Sequence, residues 1–387
     1  MKVRVLFLVL SLGALSGGLA SAFARQNTPK TPTLAKAFER DFLIGAALGG
    51  QTLLGEDAIS APVLGHFNAF TAENAMKPDA TQPQEGVFRF EQADKLVEIA
   101  RKQNATVVGH TLIWHSQTPR WFFEGPDNKP ATRELALQRM RTRIATLVGR
   151  YKGRIAQWDV VNEAISDGGD DMLRQSPWRT AIGDDYIAEA FRAAHAADPK
   201  ATLIYNDYSI ENPGKREKTL KLLKSLRDQN VPVHAVGIQG HWGLDYPDLA
   251  TIESALTDFG KLGLKVMITE LDVSVLPTRY RGADVGVRQE RDAAMDPYVA
   301  GLPEAVARQQ AERYRAIFAL LRRHRDVVDR VTFWGVHDGQ SWKNNFPIRG
   351  RTDYPLLFDR QGKPKPAFFE LNALPAAARQ QPAANTQ

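Results

Sequence analysis

Ile155-Ala156-Gln157-Trp158-Asp159-Val160-Val161-Asn162-Glu163 is apolar and β-branched up to Val161, then sets an amide and a carboxylic acid side by side. The run reads as a buried strand that ends in a carboxyl group. In a parallel α/β protein the carboxyl ends of the strands are where the chemistry is done.

Working outward, similar short runs rich in Val, Ile, Leu, Phe or Thr recur at Phe42–Leu48, Phe67–Asn74, Thr106–Trp114, Ala201–Asp207, His234–Gly240, Lys265–Leu271 and Arg330–Val336. Between them lie helical patterns. Gln92–Gln103 carries Ala93, Leu96, Val97, Ile99 and Ala100 on one face, and Thr132–Val148 opens on a capping Thr132. Asp57–Leu64, Asp184–Ala197, Arg216–Gln229, Leu249–Lys261, Ala305–Arg325 and Pro366–Leu371 fit further helices. Eight strands alternating with helices predict a closed α/β (β/α)8 TIM barrel, a single catalytic domain, over an open doubly wound sheet. No glycine-rich phosphate loop follows the first strand, which weighs against a nucleotide fold.

The ends of the chain differ from its middle. Met1-Lys2-Val3-Arg4 is basic, Val5 to Leu15 is apolar, and Ala20-Ser21-Ala22 or Ala22-Phe23-Ala24 offers a small-residue cleavage site. Residues 1–24 therefore read as a secretory signal peptide, too short for a stable span, and the protein is expected to be secreted or periplasmic. Residues 25–37 read as an N-terminal leader, 38–374 as the barrel and 375–387 as a disordered tail. The chain holds no cysteine, so disulfides, thiol nucleophiles and a lipid anchor built on cysteine are excluded. The net charge is +6, and losing the two positive charges of Lys2 and Arg4 with the signal leaves +4. That surplus is no nucleic-acid footprint, and the mature chain is expected to be a monomer with neither a nucleic-acid partner nor a membrane anchor.

In a barrel the strand ends converge on one site. They supply Glu73 and Asn74, His110 and Trp114, Asn162 and Glu163, Asp207 and Tyr208, Gln239 and His241, Glu270 and Asp272, and Trp334. Glu163 and Glu270 stand on opposing sides of the mouth, as glycoside hydrolysis requires: one acid for the leaving oxygen, one carboxylate on the other face of the sugar. Trp114, Trp121, Trp242, Trp334 and Trp342 cluster near strand ends, and flat indoles suit the apolar faces of sugar rings. Metal chemistry fits poorly: His110 and His115 face opposite ways by alternation, and no zinc motif is present, so no metal or cofactor is expected. A serine elbow is missing too. Asn162 and Glu163, being neighbours, can reach one sugar only if the strand ends or bulges there.

Five ordered stretches carry a family resemblance. Phe67–Lys77, Gly109–Gln117, Trp158–Glu163, Ile268–Val273, and Phe333–Val336 with Ser341-Trp342 resemble the signatures of family-10 glycoside hydrolases, the endo-1,4-β-xylanases. The likeness runs from about Phe38 to Leu371. It implies a retaining mechanism on xylan or xylo-oligosaccharides, with Glu163 as acid/base, Glu270 as nucleophile and carboxyls about 5–5.5 Å apart. Trp and amide neighbours are expected to favour neutral Glu163, helped by the charge of Glu270.

The resemblance implies that Asn162 binds the sugar 2-hydroxyl and that His241, with Asp272, orients Glu270. It makes Glu73, Asn74, Lys77, His110 and Gln117 non-reducing-side binding residues, Tyr208 and Gln239 further binding residues, and Trp114, Trp334 and Trp342 aromatic walls. Trp342 would crowd a hydroxymethyl group and favour xylose. Pro78 and His337 depart from the family pattern, and the charged segment 279–301 is expected to form a rim on the leaving-group side. The alternatives are another retaining β-glycosidase such as a β-1,4-glucanase, against which Trp342 and Gln117 argue, and a non-catalytic carbohydrate-binding barrel. Against the second stands the presence of Glu163, Glu270, Asn162 and His241 together.

Overall fold

Among the described residues nine parallel strands build the sheet: β1 (Leu43–Leu48), β2 (Ala69–Ala72), β3 (Thr106–Trp114), β4 (Gln157–Asn162), β5 (Thr202–Asp207), β6 (Ala235–Ile238), β7 (His241–Gly243), β8 (Lys265–Ser274) and β9 (Val328–Phe333). Each neighbours the next from β1 to β6; β6 then pairs with β8, β8 with β9 and β9 with β1, which closes an eight-stranded barrel. β7 continues the path of β6 after a break at Gln239-Gly240, where Gly240 takes φ +82°, and pairs with β8 at Asp272–Ser274. The sixth expected strand, His234–Gly240, thus stops at Ile238, and β7 is a further short strand beyond its expected end, because a left-handed residue cannot continue a ladder.

This computed structural model describes residues 31–126 and 129–375. The expected signal peptide and most of the expected tail lie outside the described residues. Thr33 caps a helix over Leu34–Ala37 by accepting from the Lys36 N–H, and Leu34 and Phe38 are wholly buried. The barrel unit accordingly takes in residues from Pro32 on, including the end of the stretch read as a leader.

Helices Glu91–Lys102, Arg133–Arg150, Tyr186–Ala197, Pro213–Asp228, Leu249–Lys261, Glu304–Arg323 and Pro366–Asn372 match the periodic segments, and Thr132 caps the second by accepting from Leu135 N–H at 3.3 Å. The expected helix at Asp57–Leu64 is absent; a helix over Gly50–Leu54 and a 3-10 turn over Ala61–His66 replace it. The reason is local. Asp57 takes the N–H groups of Ile59 and Ser60 at 3.1 and 3.0 Å and the Thr52 hydroxyl at 2.8 Å, a side-chain turn that competes with helix, and Pro62 follows.

Apolar side chains such as Ile144, Leu147, Phe191, Leu223, Phe259, Ile317 and Phe318 fill the layer between sheet and helices. Each contributes roughly 1.5–3 kcal/mol relative to exposure. The barrel interior is different. Arg330 of β9 donates to the Gln157 side chain of β4 at 2.8 Å, and these strands lie on opposite sides of the ring, so the bond crosses the lumen. Trp158, wholly buried, points the other way, and Gly109 on the adjacent strand makes room for it: a Cβ there would stand 2.1 Å from the indole. Gly109→Ala should therefore cost about 1–3 kcal/mol through overpacking. Urea unfolding checks this; an unchanged midpoint would mean that Trp158 is loosely held.

Candidate active site

Glu163 reaches the cleft because two departures from regular strand act together. Register slips by one residue between Asp159 and Val161 in the β4–β5 ladder, which brings Asn162 to the inner face. Glu163 itself has φ +58°, so the chain turns and presents the next side chain to the same space. The neighbours then touch, Asn162 Nδ2 donating to Glu163 Oε1 at 3.2 Å. A left-handed glutamate needs support, and the backbone groups around it supply anchoring hydrogen bonds. Glu163 N–H donates to Asn206 C=O at 2.9 Å, its carbonyl accepts from Arg174 Nε at 3.1 Å, and the N–H groups of Ala164 and Ile165 donate to the Tyr205 hydroxyl at 3.1 and 3.0 Å.

The Glu163 carboxyl is buried. Trp114 Nε1 donates to Oε2 at 2.8 Å and Gln239 Nε2 to Oε1 at 2.9 Å. Its pKa is pushed up to about 7, first by burial and then by the negative charge of Asp207, with Glu270 a smaller contributor. The Gln239 and Trp114 bonds work the other way. Their N–H groups donate to the ionised form and pull the pKa down, so the expectation that these neighbours favour the neutral acid is wrong in sign. Asp207 is held beneath by the Tyr205 hydroxyl at 2.6 Å and Lys215 Nζ at 2.9 Å.

Glu270 on β8 is the counterpart. Burial works to raise its pKa, but bonding and charge from His241, the charge of His110 and the Asn206 amide outweigh burial, and the net shift is downward. His241 stands between two carboxylates, Nε2 3.3 Å from Glu270 Oε2 and Nδ1 2.9 Å from Asp272 Oδ2. Burial opposes the imidazolium, yet Asp272 and Glu270 raise the His241 pKa overall. Trp342 Nε1 also donates to Asp272 Oδ2, at 2.8 Å, which fixes the carboxylate behind the histidine.

One residue that sequence reading missed joins the two acids. Asn206 Nδ2 donates to Glu270 Oε1 and to Asn162 Oδ1, both at 2.8 Å, while its own carbonyl oxygen accepts from Thr269 Oγ1 at 2.6 Å. Gly237 leaves it space, since a Cβ there would stand 2.4 Å from Asn206 Oδ1. The available signal was an amide inside an otherwise apolar strand, opposite Asn162 in register. His115 was also passed over. A slip between His110 and Ile113 and the end of β3 at Trp114 undo the alternation that was to turn it away, and its Nδ1 lies 4.0 Å from Glu163 Oε2. Burial and Arg174 push the His115 pKa down to about 4.

At the β2–β3 end of the cleft, Lys77 Nζ donates to Asn74 Oδ1 and Gln117 Oε1, each at 3.0 Å, and sits 4.7 Å from the Trp114 ring centre. Glu73 lines the same end. His110 is oriented by Asp159 at 2.9 Å, and its ring meets that of Trp334 edge-on at 5.3 Å. Trp342 packs on His241 at 4.7 Å and stacks on Phe346 at 4.4 Å. Ala283 and Val285, from the segment after β8, also line the cleft.

Several expected residues lie elsewhere. Tyr208 does not line the cleft; its ring lies 3.5 Å from Lys215 Nζ and its hydroxyl meets Arg174 at 2.6 Å and Asp167. Asp272 acts from behind His241. Trp242 is buried and bonds Glu211 at 3.0 Å, and Trp121 lines a different groove, so three of the five clustered tryptophans face the cleft. Of the two departures, Pro78 opens a short helix at Pro78–Thr81, and His337 accepts from Gly339 N–H at 3.2 Å with Nε2 3.7 Å from Asp57.

Residues 33–374 match the model for "Glycosyl hydrolase family 10". The chain is 44% identical over 340 residues to an endo-1,4-beta-xylanase of Geobacillus stearothermophilus, covering 88% of this chain and 98% of that one. It is 39% identical over 368 residues to a beta-1,4-xylanase of Dictyoglomus thermophilum, at 95% and 98% coverage. Among solved structures, a GH10 endoxylanase from a sugarcane soil metagenome superposes with a TM-score of 0.86 at 44% identity, over 88% of this chain and all of the other. A mutant in complex with xylotriose gives 0.80 at 41% identity, over 89% of this chain and all of that one.

Removing the charge that Asp207 holds near Glu163 should show in the acid itself. Asp207→Asn is expected to lower the Glu163 pKa by about 1 unit, the leftover Lys215 charge acting in the same direction. Carboxyl titration by NMR on glutamate-labelled protein measures it, and a rise would contradict the assigned cause.

Proposed function

The chain belongs to glycosyl hydrolase family 10, and on that premise we propose that it is a retaining endo-1,4-β-xylanase acting on internal bonds of xylan. The observation that carries this reading is the divergence of two buried carboxyls in one cleft, Glu163 raised to about 7 and Glu270 lowered. Between those values Glu163 is a neutral acid and Glu270 an ionised nucleophile.

Glu270 attacks the anomeric carbon as Glu163 gives its proton to the leaving oxygen, forming a covalent glycosyl-enzyme. Water then enters, Glu163 takes one of its protons, and the Glu270–sugar bond breaks to release the product with its configuration retained. Asn162, held by Asn206, is placed to bind the 2-hydroxyl of the sugar at the cleavage point, a contact that strengthens as charge develops. His241 keeps Glu270 oriented and ionised. Lys77, Asn74, Gln117 and Glu73 bind the sugars on the non-reducing side, between walls formed by Trp114, Trp334 and Trp342. The relatives named as xylanases support the substrate. Trp342, filling the space beside His241, supports xylose over a hydroxymethyl-bearing sugar.

The basic region, apolar run and small-residue site within residues 1–24 support export to the periplasm or beyond, with the mature chain acting as a monomer. Mass spectrometry of the protein recovered outside the cytoplasm would find its N-terminus near Phe23 or Arg25, whereas an intact Met1 would refute export with cleavage.

Glu270→Ala should abolish turnover of every substrate, while Glu163→Ala should lose about 10²–10⁴-fold on xylan yet still form the glycosyl-enzyme from xylosides with activated leaving groups. Steady-state and burst kinetics with an aryl β-xylobioside test this; equal losses on both substrates for Glu163→Ala would reverse the assignment. The pH dependence has a fixed sign. Because Glu163 must be protonated, kcat/KM should fall as pH rises through about 7, and because Glu270 must be ionised it should fall again in acid, below the ordinary carboxylate value.

A further inference from the structure

Arg174 lies outside the catalytic set but touches it. Its Nε donates to the carbonyl of Glu163, Nη2 reaches Asp167 at 3.0 Å and the Tyr208 hydroxyl at 2.6 Å, and Nη1 reaches Asp284 at 2.8 Å. The first three partners belong to the segments that follow β4 and β5. Asp284 does not. It sits in the long connection after β8, so the fourth bond crosses the mouth of the barrel above β5 and β6. Asp284 also orders its own turn, Oδ1 accepting from Gly286 N–H at 2.8 Å and its N–H meeting the Tyr280 hydroxyl at 3.1 Å.

Its two chain neighbours, Ala283 and Val285, form the cleft wall, while the Asp284 carboxylate faces Arg174. Where Asp284 is held, that wall is held. The wall belongs to the end of the cleft opposite the Lys77–Gln117 cluster, beyond Glu163, where sugars leaving with the departing oxygen must lie. The arginine is itself buttressed, since Asp167, which Arg174 contacts, is also held by Lys215 at 2.7 Å, and Lys215 is held in turn by Asp207 at 2.9 Å.

We propose that the Arg174–Asp284 ion pair is a latch that positions the leaving-side wall of the cleft, making Asp284 a positioning and specificity-determining residue for the sugars that depart. The pair is part-buried, 14% and 25% exposed at the side chains, so neither partner is locked into the core and the contact can be tested by substitution. The proposal rests on the xylanase reading above. It requires that loss of the latch be felt by substrates with several leaving-side sugars and little by those with none.

Xylohexaose and an aryl β-xylobioside separate these cases. Asp284→Ala is expected to raise KM for xylohexaose about tenfold, equivalent to about 1.4 kcal/mol, with kcat changed less than about threefold, and to redistribute the bonds cleaved. On the aryl substrate kcat/KM should fall less than about threefold, well short of the loss on the oligosaccharide. Asp284→Glu, which keeps the charge, should recover most of the xylohexaose KM, and Asp284→Asn should fall between. An unchanged KM and cleavage pattern, or equal losses on both substrates, would overturn the latch. Wild-type protein that failed to cut xylohexaose would instead overturn the xylanase reading.

Discussion

Two carboxyl groups buried in one small cleft must be kept in opposite protonation states, and the surrounding architecture follows from that constraint. Burial alone would push both toward the neutral form. Glu270 escapes because β8 brings it against His241 and Asn206, and His241 is charged up by Asp272 behind it. Glu163 does not escape, since the Gln239 and Trp114 donors are outweighed by burial and by Asp207. The same pocket thus yields an acid and a base from one residue type.

Holding that asymmetry takes most of the polar groups near the strand ends. Asn206 is central because it donates to Glu270 and Asn162 at once, so the geometry of one acid is tied to that of the other through two amides. The left-handed turn at Glu163 is supported by Tyr205, Arg174 and the β5 backbone, and Asp207 serves both the turn and the raised pKa, taking Ile165 N–H at 3.3 Å. Groups of this kind act as a unit, and removing one leaves others buried without partners.

Much of this was legible in the chain. The eight strand runs and the helices between them carry strong periodicity, and the barrel closes through them as expected. Glu163, His241 and the Lys77 cluster were readable because each sits at or just past a strand end, and Glu270 because it is the lone carboxyl of the run Lys265–Leu271, β8 running on past it to Ser274. What was not legible depended on departures from regular structure. Strict alternation turns His115 away, while the slip in β3 and the turn after Trp114 bring it beside Glu163. Asn206 lies one residue before the strand end, where an inward side chain looks like core. Tyr208 follows the same strand but is drawn under Lys215 and Arg174 by charges whose sequence positions do not announce their meeting. Local sequence likewise missed the Asp57 turn, because a single side-chain oxygen taking two backbone donors overrides helical spacing.

The most direct test of the account is the anomer first released from xylohexaose, followed by proton NMR before mutarotation. Double displacement through Glu270 predicts that the β-anomer appears first and the α-anomer grows in afterward. The α-anomer appearing first would mean a single displacement by water, and would contradict the roles assigned to both carboxyls.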